Sequence, residues 1–141
     1  MHTLRHVIQS QKLVQAPPTA TVFDVAALMS GARVGCIPVL EGDRLVGVFS
    51  ERDLMTRVVV EGKDARRTSV GSVMTREVIT ASLDDRVERC LEKMRSCGCR
   101  HLPVVAEGRV IAMISMRDLM RDEIEEQVEE IRGLREYIHQ A

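Results

Sequence analysis

The sequence contains one unit written twice. Pro38-Val39 recurs as Pro103-Val104, and Ser50-Glu51-Arg52-Asp53-Leu54-Met55 recurs as Ser115-Met116-Arg117-Asp118-Leu119-Met120, both at an offset of 65 residues. Residues 13–55 align with 78–120 without a gap, and 11 of the 43 pairs are identical: Ala16, Val22, Met29, Pro38, Val39, Arg44, Ser50, Arg52, Asp53, Leu54 and Met55 with their counterparts. Unrelated stretches of ordinary composition would share about two or three. A unit of about 50 residues buries too little surface to stand alone. The two copies are therefore expected to pack sheet face to sheet face as one pseudo-twofold body.

Each unit reads as strand, helix, strand, strand, helix, an α/β (α+β) plan. In the first, Leu13-Val14-Gln15 is a short strand ended by Pro17-Pro18. Thr21 is placed to cap a helix with Val22, Val25, Ala26, Leu28 and Met29 at helical spacing, which Gly31 and Gly35 then break. Ile37-Pro38-Val39-Leu40 and Leu45-Val46-Gly47-Val48-Phe49 form a hairpin across Glu41-Gly42-Asp43, and Ser50 caps the closing helix. The second unit repeats this with a strand at Val78-Ile79-Thr80, a helix capped by Asp84 or Asp85, and a hairpin turning at Glu107-Gly108. The chain divides into a lead-in with a short helix (1–12), unit 1 (13–60), a linker (61–72) with a solvent-exposed charged stretch, unit 2 (73–122) and a C-terminal helix (123–141).

That last helix carries Ile124, Val128, Ile131 and Ile138 in a four-three stripe. The stripe suits either a helix folded back on its own core or a dimer seam, and the pattern does not choose between them.

Composition excludes several classes. With 141 residues, 45% hydrophobic and 29% charged, the chain can build a core and is not disordered. Lys+Arg 20 against Asp+Glu 21 leaves no basic excess to hold a polyphosphate backbone, and aromatics at 2% offer no stacking platform, so nucleic acid is not an expected partner. No apolar run approaches the roughly 20 residues of a membrane span. The polar start Met1-His2-Thr3-Leu4-Arg5-His6 is not that of a signal peptide, so a cytoplasmic location is expected, with the four cysteines as thiols.

The repeated Ser-x-x-Asp has two chemical readings. At a helix start, Ser50 and Ser115 can be plain caps, with Asp53 and Asp118 as the acid of a capping box. Equally, each Asp can accept both hydroxyl protons of a ribose while the free N–H groups of the first turn favour an anion. Cys97-Gly98-Cys99-Arg100-His101 gathers two thiols and an imidazole, but zinc sites use a second ligand pair that the sequence lacks, so no metal site is assigned. No nucleophile elbow or cysteine-protease signature is present, so no catalytic residue is assigned and no enzyme is expected.

The tandem unit, the run His101-Leu102-Pro103-Val104-Val105, the Ser-x-x-Asp after each hairpin and the segment Val73-Met74-Thr75 resemble the CBS domain pair, or Bateman module. The closing Leu134-Arg135-Glu136-Tyr137-Ile138 is similar to the end of small bacterial stand-alone members. The resemblance implies two βαββα units and two clefts for an adenine nucleotide (AMP, ADP or ATP), S-adenosylmethionine or NAD. It implies a regulatory role without turnover, no required cofactor, a homodimer, and a regulated protein on another chain. Transferred residue by residue, it puts Val14 against the Ser115/Asp118 cleft, and Met74 with Ile79 against the Ser50/Asp53 cleft. It sets Arg100 and His101 near the phosphate of the second cleft, where the first offers only Gly35 and Cys36, and it places Arg52 and Arg117 alike in both. Empty clefts in a structural or oligomerisation module, and a Cys/His metal or redox sensor, are the competing readings.

Overall fold

The computed structural model describes residues 2–8 and 12–140. Each unit is built on one antiparallel hairpin: β1 (Cys36–Glu41) with β2 (Arg44–Ser50), and β3 (His101–Ala106) with β4 (Arg109–Ser115). The second turn has positive φ at both Glu107 (52°) and Gly108 (75°), the backbone that matches strand twist in a two-residue loop. The registers correspond across the repeat, Ile37 opposite Phe49 and Leu102 opposite Ile114. Each hairpin also has its irregularity at the equivalent place, between Val39 and Leu40 and between Val104 and Val105.

The expected opening strands are reduced to single residues. Ala16 bridges Val39 and Ala81 bridges Val104, both parallel, while residues 13–15 and 78–80 are irregular. Pairing cannot run on past these points. In the first unit the next ladder donor would be residue 18, and Pro18 has no N–H; in the second the chain turns at once, with the Ser82 N–H held by Asp85 Oδ2 at 2.9 Å.

Helix α2 (Val22–Ala32) begins as expected, with Thr21 Oγ1 accepting the Asp24 N–H at 3.1 Å. It runs through Gly31 rather than breaking there, and the left-handed cap falls on Arg33 (φ 57°), whose N–H bonds back to Met29 and Ser30 carbonyls. Helix α5 (Val87–Cys97) has Arg86 at its N-cap, with no side-chain cap bond; Asp85, expected there, serves the preceding turn instead. Gly98 (φ 68°) supplies its left-handed end.

The short helices before the units change sides. Helix α1 (Leu4–Val7) lies on unit 2, where the Leu4 N–H reaches Asp85 O and the Val87 N–H reaches His2 O. Helix α4 (Val70–Val73), across the expected boundary of linker and unit 2, lies on unit 1 through Val70 N–H to Ala20 O and Gly71 N–H to Pro18 O. Two cores result. Val22, Val25, Ile37, Val39 and Phe49 close over Val70 and Val73 in the first, and Val87, Cys90, Met94, Leu102 and Leu119 close over Leu4 in the second. The halves meet where β1 and β2 touch β4.

Helix α3 (Glu51–Asp53) continues as a π-helical stretch over Leu54–Val59. Its counterpart α6 (Met116–Gln140) is one unbroken helix of 25 residues. Its first turns bury Leu119 and Asp122, whereas Ile124, Val128, Ile131 and Ile138 are exposed, so the apolar stripe does not fold back on the chain's own core. The thiol expectation is corrected at one place: Cys97 and Cys99 are joined as a disulfide, brought together by the tight left-handed turn at Gly98 between them. Cys36 and Cys90 are buried free thiols.

Candidate functional site

Both Ser-x-x-Asp segments sit at the junction of a hairpin with its closing helix, and both form capping boxes. The Ser50 N–H donates to Asp53 Oδ2 at 3.1 Å and the Asp53 N–H to Ser50 Oγ at 3.2 Å. Ser115 and Asp118 repeat this at 3.3 and 3.2 Å. Capping and ligand binding do not exclude each other. In both boxes the backbone N–H takes Oδ2, which leaves Oδ1 to other donors.

The two boxes open on one concavity of ≈ 1680 Å³. Single small-ligand sites span about 300–1,000 Å³, so this space is not limited to one small ligand. Ser50, Arg52 and Asp53 line it from unit 1, and Ser115, Arg117 and Asp118 from unit 2. Val14, Arg100 and His101 complete the set. Two predicted residues are not in this lining. Met74 is buried in the first core, and Ile79 is exposed elsewhere on the surface. The neighbour of Met74 does reach the site: Thr75 Oγ1 lies 3.1 and 3.2 Å from the Asp53 carboxylate oxygens.

The two acids differ in what already holds them. Asp53 is 7% exposed. Besides Ser50 and Thr75 it has Arg57 Nε 3.7 Å away, and Arg57 also donates to Val73 O and Met74 O at 3.2 and 2.8 Å. Thr75 is itself fixed, paired with Val48 through two backbone bonds of 2.9 Å. The start of unit 2 thus closes over the first acid. Among the described residues, Asp118 accepts hydrogen bonds only from the Ser115 backbone, and it is half-buried.

A small side-chain difference matches this. A Cβ on buried Gly47 would lie 2.6 Å from Met74 Sδ and 2.7 Å from Thr75 O, so only glycine admits this segment so closely. The repeat has Ala112 at that position, and there a cavity of ≈ 230 Å³ remains, lined by Ala112, Met113, Asp118 and the lead-in residues His6, Val7 and Ile8. Sequence reasoning missed Thr75 and Gly47. The glycine-for-alanine difference within the repeat was the available signal.

His101 starts β3 opposite Ser115 and faces the meeting point of the units, near Gly35 and Glu51. Burial pushes its imidazole below the ordinary range, against the pull of Glu51 and Asp118, while Arg100 adds to the depression. Its counterpart Cys36 is buried, and burial together with Asp53 pushes that thiol up to about 12, so it stays protonated at neutral pH and is no nucleophile. Cys97 and Cys99 line the mouth of the concavity beside Arg100 as the disulfide.

Comparison with known proteins agrees with this geometry. The family model described as "CBS domain" matches residues 4–60 and 70–125. The chain is 33% identical over 123 residues to the CBS domain-containing protein CBSX3, mitochondrial, of Arabidopsis thaliana, covering 84% of this chain and 60% of that relative. A second Arabidopsis relative, CBSCBSPB3, is 35% identical but matched over 21% of its length, so the chain spans less than two thirds of either curated relative. Among solved structures, a CBS-domain protein from Burkholderia ambifaria MC40-6 superposes with TM-score 0.82 and 27% identity, covering 88% of this chain and 93% of its own. The CBS domain protein PAE2072 from Pyrobaculum aerophilum, complexed with AMP, superposes with TM-score 0.76 and 30% identity, covering 83% and 89%. Among the described residues no helix is long and apolar enough to cross a membrane. With two matched domains, two equivalent capping boxes and one shared cleft, the chain belongs to the CBS-domain family as a tandem CBS pair.

Proposed function

We propose that this chain is a regulatory module that binds an adenine nucleotide, AMP foremost, in the cleft of its second unit and performs no chemical step. One observation carries the reading. Asp118 stands at a helix start with Oδ1 taken by none of the described residues, in a concavity that also holds Arg100 and His101. A ribose needs an acceptor for two hydroxyls, and a carboxylate gives the strongest such bonds. A phosphate needs fixed donors, and Arg100 supplies two in a planar fork. Val14 offers the apolar side for a base. The relative from Pyrobaculum aerophilum was solved with AMP, which supports the same ligand class here. In this reading the first cleft, with Asp53 held by Thr75 and Arg57, is the weaker or empty one.

The output is a change in association. The stripe at Ile124, Val128, Ile131 and Ile138 forms the seam of a homodimer, and occupancy of the cleft at the root of the same helix alters that seam or its use by a regulated partner on another chain. A ligand can shift such an equilibrium only by binding its two states unequally. The deciding experiment is a thermal-shift panel of AMP, ADP, ATP, adenosine, NAD, S-adenosylmethionine and GMP. A ligand present at 100 times its Kd stabilises the folded state by about 2.7 kcal/mol. The reading expects AMP to raise Tm most and GMP not to. No shift with any adenine compound leaves the competing reading, an oligomerisation module with empty clefts.

A further inference from the structure

We propose that His2, His6 and Asp122 form a binding site for a divalent transition metal of the zinc class, which would clip the lead-in helix α1 to the long helix α6. None of the three lines the larger concavity that holds both capping boxes, although His6 and Asp122 share a smaller cavity with Asp118. His2 Nδ1 lies 2.9 and 3.1 Å from the two Asp122 carboxylate oxygens, and His6 Nε2 lies 3.9 Å from Oδ1. One ligand atom from each residue fits within 4.8 Å of the others. Zinc bonds to nitrogen and carboxylate oxygen of about 2.0–2.2 Å, set tetrahedrally, keep neighbouring ligand atoms about 3.3–3.5 Å apart. The separations of 2.9 and 3.9 Å straddle that value, and the stacked rings would have to turn to aim both nitrogens at one ion.

A plain His–Asp bond explains less. It needs one histidine, and here two approach the same carboxylate. Their rings are stacked, with centroids 3.8 Å apart and planes inclined by 27°. Imidazole nitrogens are good ligands for zinc, copper or nickel. Asp122 is 5% exposed and, among the described residues, has only His2 as a hydrogen-bond partner. A buried carboxylate is costly unless its charge is compensated, and a dication held by both imidazoles would supply that compensation.

The ligands are also held by the backbone. The His2 carbonyl accepts the Val87 N–H at 3.1 Å, Thr3 bridges Arg86, and Leu4 is fully buried. The His6 side chain is 61% exposed and borders the ≈ 230 Å³ cavity with Asp122 and Glu125, so water can complete the coordination. Two histidines and one carboxylate with an open position suit zinc, cobalt or nickel better than magnesium or calcium, which take oxygen ligands.

The test uses the full chain without an affinity tag, titrated with zinc chloride and, for a visible signal, cobalt chloride. The expected result is one metal per chain, a tetrahedral cobalt absorption band, and a rise in Tm with zinc. His6→Ala, an exposed change that leaves the core intact, should weaken binding at least tenfold, as should Asp122→Asn. A Cys97→Ser/Cys99→Ser variant should bind zinc like the parent. No Tm rise and no cobalt band overturn the proposal, as does a His6→Ala chain that binds zinc unchanged. Loss of zinc binding in the cysteine variant with retention in His6→Ala would move the site to the cysteines and equally overturn it.

Discussion

Thr75 caps the carboxylate of Asp53 from across the unit boundary, with its hydroxyl 3.1 and 3.2 Å from the two oxygens. The segment at the start of unit 2 that carries Thr75 is paired with Val48 and tied down by Arg57. The first Ser-x-x-Asp is thus already served by the protein, and a ribose would have to displace Thr75 to reach it.

Thr75→Val should therefore have two opposite effects. It removes a hydrogen bond to a buried charged group, worth about 1.5–3 kcal/mol, so urea unfolding should report a loss of that order. It also releases an oxygen of Asp53, so calorimetric titration with AMP should show a second, weaker site absent from the parent. Unchanged stability together with an unchanged single-site isotherm would remove the argument for unequal clefts.

Asp118 and Arg100 should separate ribose from phosphate recognition. Asp118→Ala is expected to weaken AMP and adenosine alike, by about 1.5–3 kcal/mol. Arg100→Ala should cost AMP at least tenfold while sparing adenosine, which has no phosphate to lose. Isotherms for both ligands with each variant check this. Equal losses for AMP and adenosine in Arg100→Ala would take Arg100 away from the phosphate.

Much of this architecture was legible from the duplication, because hairpins and capping boxes are local and recur in register. The opening strands were not, because an apolar triplet such as Val78-Ile79-Thr80 does not reveal how many backbone groups find partners. The exchange of α1 and α4 was hidden by a one-residue change of offset, since Leu4 matches Val70 while Ala16 matches Ala81. Asp53 and Asp118 looked identical in sequence. What distinguishes them is Thr75, which lies outside the aligned block of its own unit and acts on the other. The His2–Asp122 contact joins residues 120 positions apart, and no local spacing announces it.

Helix α6 should set the oligomeric state. A stripe of this length exposed on one chain is the kind of surface that a stable partner covers. Multi-angle light scattering should give twice the chain mass. Val128→Asp with Ile131→Asp places like charges in the seam and should yield monomers of unchanged helicity, as these side chains are about half exposed in the single chain and carry no core packing. A monomeric parent at micromolar concentration would refute the seam.

His101 should make ligand binding depend on pH. Its imidazole is held below the ordinary 6.5, chiefly by burial. The unfolded chain then binds more protons at this site than the folded one as pH falls through 6.5, so this contribution to stability is present above that value and is lost below it. A phosphate bound beside Arg100 and His101 reverses the local field and favours the imidazolium. AMP should therefore bind with proton uptake, its affinity rising as pH is lowered from 8 to 6.5, a window over which a phosphate with a second pKa near 6 keeps most of its second charge. Adenosine affinity should stay level over the same range. His101→Gln keeps a donor but cannot take up the proton, so it should flatten the AMP profile and reduce the acid-side loss of stability in the empty protein. Calorimetry in two buffers of different ionisation enthalpy measures the proton uptake directly. An AMP profile as flat as that of adenosine, or a slope that survives His101→Gln, would show that His101 does not meet the phosphate.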